Sequence, residues 1–339
     1  MTAQLDQEGV ATGQQHGIDI ALFGAFPAEG GVPRHLANVI KVWVGLGLSV
    51  QIISYRGGTC FYPDEIGHMV SFVDLGTRSK WTTLPALWWH LRRVRPKVIM
   101  STAHLANIIV ARMRSLPSLE TIGLSGVPVH RIYNGVVTPR HRELGDEGVD
   151  HPWLCNDTDI PVVLTAGRLA PQKDQSRLVD AVARLRRERS VRLIILGDGP
   201  LRQALQERAD DYGDGEAWLS MPGFVGNPYA WMAKADVFVL CSLWEGFGNV
   251  LAEALALDVP VVATDCPSGP AEIIDGGRYG HLVPPADTEA LTQAIRRALD
   301  GDHPVFDSDE AVSEFTAQTS ARRHLEIFEL PPGARGAGR

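Results

Sequence analysis

The chain has 339 residues, 45% of them hydrophobic and 21% charged, with a net charge of −8. That composition excludes a wholly disordered chain and gives length for two domains with substantial cores, while no window offers the eighteen or more consecutive apolar residues of a membrane span. The acidic balance and the lack of an RNA- or DNA-binding motif argue against a nucleic-acid partner.

The opening residues 1–17 are polar and aperiodic and read as a frayed tail. They lack the basic-then-apolar layout of a secretory signal, so a cytoplasmic location is expected. From residue 18 to 140, strand-like and helical runs alternate: "IDIALFGAF", "VPRHLANVIKVWVGLG", "SVQIISY", "TTLPALWWHLRRV", "KVIMST" and "ANIIVARMRS", closed by "VHRIYNGV". The polar residues 141–159 read as a linker. From 160 to 300 the strand candidates are "PVVLTAG", "VRLIILG", "EAWLSMPG", "DVFVLCS", "PVVATD" and "YGHLVPP", again separated by helical patterns. This alternation predicts two parallel sheets built from βαβ units. Residues 301–330 add a last helix, expected to pack back toward the first domain. The cysteines at 60, 155, 241 and 266 have no CxxC spacing, which argues for ordinary thiols rather than a disulfide framework or a zinc site.

An open parallel sheet binds its ligand beyond the carboxyl ends of its strands, so each glycine-rich strand-to-helix turn is a candidate site. The turn "SLWEGFGNVLAE" has two glutamates, Glu245 and Glu253, eight residues apart. Gly246 and Gly248 let backbone approach a ligand, and a helix starting near Asn249 directs amides at an anion such as a phosphate. Glu245 and Glu253 would repel that phosphate and suit uncharged hydroxyls on either side of it. The spacing fits a sugar at one end, a diphosphate in the middle and a ribose at the other. Alone, it fits an ordinary acidic helix start equally well. The turn "AGRLAPQKD" adds Arg168 and Lys173, a guanidinium and an ammonium able to clamp a diphosphate. An NAD-dependent oxidoreductase is disfavoured, because no G-x-G-x-x-G follows a strand with an acid about twenty residues on.

"AGRLAPQKD", "LGDGPLR", "GFVGNPYAWMAKADVFVLCSLWEGFGNVLAEALALDVPVVATDCPSGPAEII" and "GHLVPP" together resemble the nucleotide-sugar-binding domain of GT-B retaining glycosyltransferases of family 4. The resemblance implies two Rossmann-like domains facing across a cleft. It implies that Arg168 and Lys173 stabilise the departing diphosphate, and that Glu245 with the amides of Phe247 to Asn249 holds the sugar and its phosphate. Glu253 would bind ribose, Phe224 and Val225 would sit at the base, and Gly167 would belong to the donor site. In the first half, "EGGVPRHLANVIKVWVGLGLSVQII" also matches, with Gly30 and Gly31 facing the diphosphate. His104, at the end of "KVIMST", is a candidate cleft residue.

The expected activity is retaining transfer of a hexose or N-acetylhexosamine from a UDP-sugar or similar donor to a glycan or lipid-linked acceptor. No metal and no cofactor is expected, the cations taking the metal's part. The chain departs from the family after "ANIIVARMRS", where two βα units give way to "LPSLETIGLSGVP", so the first domain reads as shortened. A catalytically inactive nucleotide-sugar-binding relic or regulatory partner is the alternative. Residues 78–97 interleave Lys and Arg with three Trp and no acid. That pattern suits peripheral contact with an anionic membrane, or a Rossmann helix with Trp88, Trp89 and Leu91 in its core.

Overall fold

The computed structural model describes residues 17–24, 26, 31–55, 60–77, 79–101, 132–155 and 159–331. Its residues group into two units, Met1–Arg131 with His324–Arg339, and Ile132–Arg323. Each holds a parallel sheet, as the alternating pattern predicts.

In the first unit the strands are β1 (Ile20–Gly24), β2 (Val50–Ser54), β3 (Ser71–Asp74) and β4 (Val98–Ser101), in the order β3-β2-β1-β4. β1 and β2 are buried along their whole length, which is why they read as continuous apolar runs. The strand β3 is not among the sequence expectations; its ends are exposed and it pairs with β2 alone among the described strands. The helix Lys80–Val94 lays Leu84, Leu87, Trp88 and Leu91 against Phe23, Ile53 and Ile99 of the sheet, the helical spacing of one face. Trp89 lies off that face and is 62% exposed, so the reading that counted it as core is corrected.

The second unit carries β5 (Val162–Ala166), β6 (Arg192–Leu196), β7 (Leu219–Gly223), β8 (Val237–Leu240), β9 (Val261–Thr264) and β10 (His281–Val283). Their order is β10-β9-β8-β5-β6-β7, and every pair is parallel. The two-residue period of a strand divides the side chains between two cores. Val162 and Leu164 of β5 with Phe238 and Leu240 of β8 face one side; Val163 with Val237 and Val239 face the other. Each fully buried side chain of this kind contributes roughly 1.5–3 kcal/mol.

Of the residues 141–159 expected as a linker, the described ones, 141–155 and 159, belong instead to the second unit. The helix Arg140–Gly145 and the turn after it are anchored there by Asn227, whose Nδ2 donates to the Leu144 carbonyl at 2.8 Å, and by Lys234, whose Nζ donates to the Glu147 carbonyl at 2.6 Å. Side-chain hydrogen bonds and the tilted contact of the His141 ring with Tyr229, centroids 4.3 Å apart, replace the apolar periodicity that marks a packed element in sequence.

The last helix is also not continuous. It is split into Ser308–Val312, a short turn, and Ala317–Ile327, with Thr316 extended between them. Thr316 bridges to Val137, and the Val137 carbonyl accepts from the Ala317 amide at 2.9 Å, so backbone pairing interrupts the helix. The final turns, from His324, belong to the first unit, where the His324 ring meets Trp43 edge-on at 5.6 Å. Asp307 caps Ser308–Val312 through the Glu310 amide at 3.1 Å. Among the described residues, no helix is long and apolar enough to cross a membrane. The place where the first domain reads as shortened, after Ser115, lies outside the described residues.

Candidate active site

From β5 the chain winds outward through β6 and β7, and from β8 it winds the other way through β9 and β10. Strands that part in this way leave a crevice beyond their carboxyl ends. The turns after β5 and β8 line it.

After β5, the Gly167 amide donates to the Leu196 carbonyl at 2.9 Å, and the Leu169 amide donates to the Asp198 carbonyl at 3.0 Å. A short 3-10 turn, Pro171–Lys173, leads into the helix Gln175–Leu185. The buried Gln175 side chain donates to the Arg168 carbonyl at 3.0 Å, which fixes the backbone there. The Arg168 guanidinium is exposed and has no partner among the described residues.

After β8, the chain is fastened to the first turn at three points. The Leu243 amide donates to the Gln172 carbonyl at 2.9 Å, the Gln172 Nε2 donates to the Trp244 carbonyl at 2.8 Å, and the Cys241 thiol meets the Lys173 carbonyl at 3.1 Å. This clamp brings Lys173 Nζ to 2.5 Å from Glu245 Oε1, with the two side chains 20% and 7% exposed. Ser242 Oγ donates to the same Oε1 at 2.6 Å. Burial pushes the Cys241 thiol up to about 12, and burial followed by the nearby Glu245 carboxylate raises Cys266.

Gly248 stands at φ 93° and turns the chain into the helix Asn249–Leu255. Only glycine takes that conformation without strain. Gly269, in the turn after β9, is equally constrained, since a Cβ there would lie 1.8 Å from the Phe247 carbonyl oxygen. Phe247 is held from its other side by Tyr133 and Phe315, at ring separations of 5.8 and 5.5 Å. The Asn249 Oδ1 accepts from Asn134 Nδ2 at 3.1 Å. Glu253, one turn further, is buried.

The crevice therefore gathers Gly167, Arg168, Lys173, Glu245, Gly246, Phe247, Gly248 and Asn249 on two neighbouring turns. Phe224 lies past the end of β7, 81% exposed, and Val225 packs on the core. Three strand spacings separate the loops after β8 and β7, about 14 Å, which suits an extended ligand. Gly31 begins the helix Gly31–Gly45 in the first unit. Gly30 and His104 lie outside the described residues. Two residues of the site escape the sequence reading: Gln172, which stitches the turns, and Ser242, which sits on Glu245. Ser242 has a visible signal, a Ser three residues before a Glu at a strand end.

In chemical terms, one turn offers an open guanidinium and a shielded ammonium, and the other offers a fixed carboxylate and a helix start. Residues 160–301 match the family described as glycosyl transferases group 1. The N-acetylgalactosamine-N,N'-diacetylbacillosaminyl-diphospho-undecaprenol 4-alpha-N-acetylgalactosaminyltransferase of Campylobacter jejuni is 36% identical over 140 residues, 41% of this chain and 38% of that protein. The chain matches at most half the length of the first curated relatives, 38%, 50% and 43%. A glycosyltransferase from Rickettsia africae superposes with a TM-score of 0.71 at 17% identity, over 93% of this chain and 98% of that one. The Anabaena protein Alr3699/HepE in complex with UDP and glucose does so with a TM-score of 0.67 at 18% identity, over 93% and 100%. Two parallel α/β units with these structural neighbours make the fold GT-B, and residues 160–301 of the second unit are similar to the glycosyl transferases of group 1.

Proposed function

We propose that the chain is a retaining glycosyltransferase that moves a hexose or N-acetylhexosamine from a nucleotide-diphosphate sugar, foremost a UDP-sugar, to a glycan or lipid-linked acceptor. The observation that carries this reading is the Lys173–Glu245 pair beside the open Arg168 in the β5/β8 crevice. An ammonium has three donors. One serves Glu245, and two remain for diphosphate oxygens. The bond between the anomeric carbon and the diphosphate oxygen breaks with its electron pair passing to the diphosphate. Arg168, Lys173 and the amides at Phe247 to Asn249 stabilise the charge that collects there. The acceptor oxygen bonds to the anomeric carbon from the face the diphosphate leaves, and its proton passes to a phosphate oxygen. Cations and amides thereby supply the stabilisation, and the reaction is proposed to run without a metal.

Glu245 addresses the sugar hydroxyls, Glu253 the ribose, and Phe224 with Val225 the base. Gly30 and Gly31 are proposed to bind the donor, and His104 is proposed to act in catalysis. The Anabaena neighbour's complex with UDP and glucose supports a UDP-sugar, and the undecaprenol-linked substrate in the Campylobacter relative's name supports a lipid-linked acceptor.

A peripheral membrane contact through 78–97 gains support from the exposed Trp89 with Arg93 5.9 Å above its ring. Sedimentation with anionic and neutral vesicles tests it; equal recovery with both excludes it.

The test of the main reading is product release from a panel of UDP- and GDP-sugars, with and without simple acceptors. Sugar release or transfer from one donor supports the enzyme. Donor binding without turnover supports the inactive alternative, and neither binding nor turnover removes the proposal.

A further inference from the structure

We infer that Ser242 is a positioning residue that presents one oxygen of Glu245 to the donor's sugar; this rests on the donor-site reading above. Ser242 is fully buried two residues past the end of β8 and three residues before Glu245. Its Oγ donates to Glu245 Oε1 at 2.6 Å. Its own carbonyl accepts from the buried Thr264 Oγ1, on β9, at 2.6 Å. The serine is thus fixed by the neighbouring strand, and it fixes the glutamate in turn.

Lys173 ties the same Oε1 at 2.5 Å. Both donors therefore fall on one carboxylate oxygen. Oε2 has no hydrogen bond to a described residue, yet it is not sealed in the core. With Oε1 engaged twice, the carboxylate cannot rotate without breaking a charge-assisted bond, so Oε2 holds one direction. An ionised carboxylate oxygen of fixed direction accepts from a hydroxyl. A phosphate has no proton to offer it at neutral pH and would be repelled. The group that Oε2 takes is accordingly a sugar hydroxyl. Ser242 then governs how much the sugar adds to binding, and leaves the diphosphate to Arg168, Lys173 and the helix start.

The experiment compares, by calorimetric titration of the full chain, the affinity for UDP with that for UDP-glucose and UDP-N-acetylglucosamine, and GDP with GDP-mannose. If the wild-type chain binds none of them, the donor-site reading fails before Ser242 is tested. Given binding, Ser242→Ala reduces the affinity gain of the sugar nucleotide over its diphosphate by about tenfold, while diphosphate affinity stays within about twofold. Ser242→Thr, which keeps the hydroxyl, restores part of the gain. An unchanged gain in Ser242→Ala overturns the inference and leaves the donor site standing. Equal loss for diphosphate and sugar nucleotide also overturns it, since the serine would then only hold the turn. Should Ser242→Ala fail to fold, Thr264→Val releases the Ser242 carbonyl instead. The same selective loss is expected from it, and an unchanged gain there counts against the inference.

Discussion

Lys173 Nζ lies 2.5 Å from Glu245 Oε1, although the two residues are 72 positions apart and enter the site from different strands. The pair is a product of topology, because β5 and β8 are neighbours in the sheet. It also has a cost: Glu245 is only 7% exposed, so losing its cation leaves a shielded carboxylate with Ser242 as its partner. Lys173→Met should lower stability by roughly 2 kcal/mol, and a double-mutant cycle with Glu245→Gln should give a coupling of about 1–2 kcal/mol. Chemical denaturation of the four proteins measures both. Additive effects would mean the pair is incidental.

Gly269 should not tolerate a side chain. Its Cβ would fall 1.8 Å from the Phe247 carbonyl, and its φ is 90°. Gly269→Ala is expected to cost roughly 2 kcal/mol or more and to weaken nucleotide binding, because the turn carrying Glu245 must move. Gly226, with open space around it, serves as the control. Gly226→Ala should bind nucleotide as the wild type does.

The first unit has its own acid-sensitive contact. Glu65 accepts from Arg34 at 2.7 Å and also pairs with Lys41, tying the helix Pro63–Ile66 to the helix Gly31–Gly45. Burial raises its pKa, but the bonds from Lys41 and Arg34 outweigh this and leave it below the ordinary 4.5. A carboxyl with a depressed folded pKa stabilises above its unfolded value, and that contribution disappears as pH falls through the folded value. Thermal unfolding followed downward from neutral pH should therefore show a loss below 4.5 that Glu65→Gln removes. Parallel curves for the two proteins would refute this.

The four thiols should differ in reactivity. Cys155 is exposed, whereas Cys60, Cys241 and Cys266 are buried and have raised pKa values, with Cys241 near 12. A mildly alkaline thiol reagent should label one site quickly in the folded chain, and peptide mapping should find it at Cys155. Fast labelling of Cys241 would show that the β8 turn opens.

Much of this molecule is legible in the chain because buried parallel strands write themselves as apolar runs. β5, β6, β8 and β9 are visible in that way, and the glycine-rich turns after β5 and β8 identify the crevice. What escapes notice has weak or non-local signals. β3 is a four-residue strand with exposed ends, so it shows neither a run nor a clean alternation. The break at Thr316 depends on a bridge to Val137, 179 positions away, which helical periodicity does not register. The stretch 141–147 packs through His141 and hydrogen bonds from Asn227 and Lys234, so its polarity imitates a linker. Ser242 is hidden differently: Ser-x-x-Glu commonly announces a helix start, yet here the two side chains bond directly and the helix waits until Asn249.

Whether two cations hold a nucleoside diphosphate in the β5/β8 crevice is read by titrating the full chain with UDP and GDP, and then Arg168→Ala, Lys173→Ala and Glu245→Gln. One nucleotide diphosphate should bind, each cation variant should weaken it about tenfold or more, and Glu245→Gln should leave it largely intact. Absence of binding to the wild-type chain, or binding indifferent to both Arg168 and Lys173, would contradict that reading.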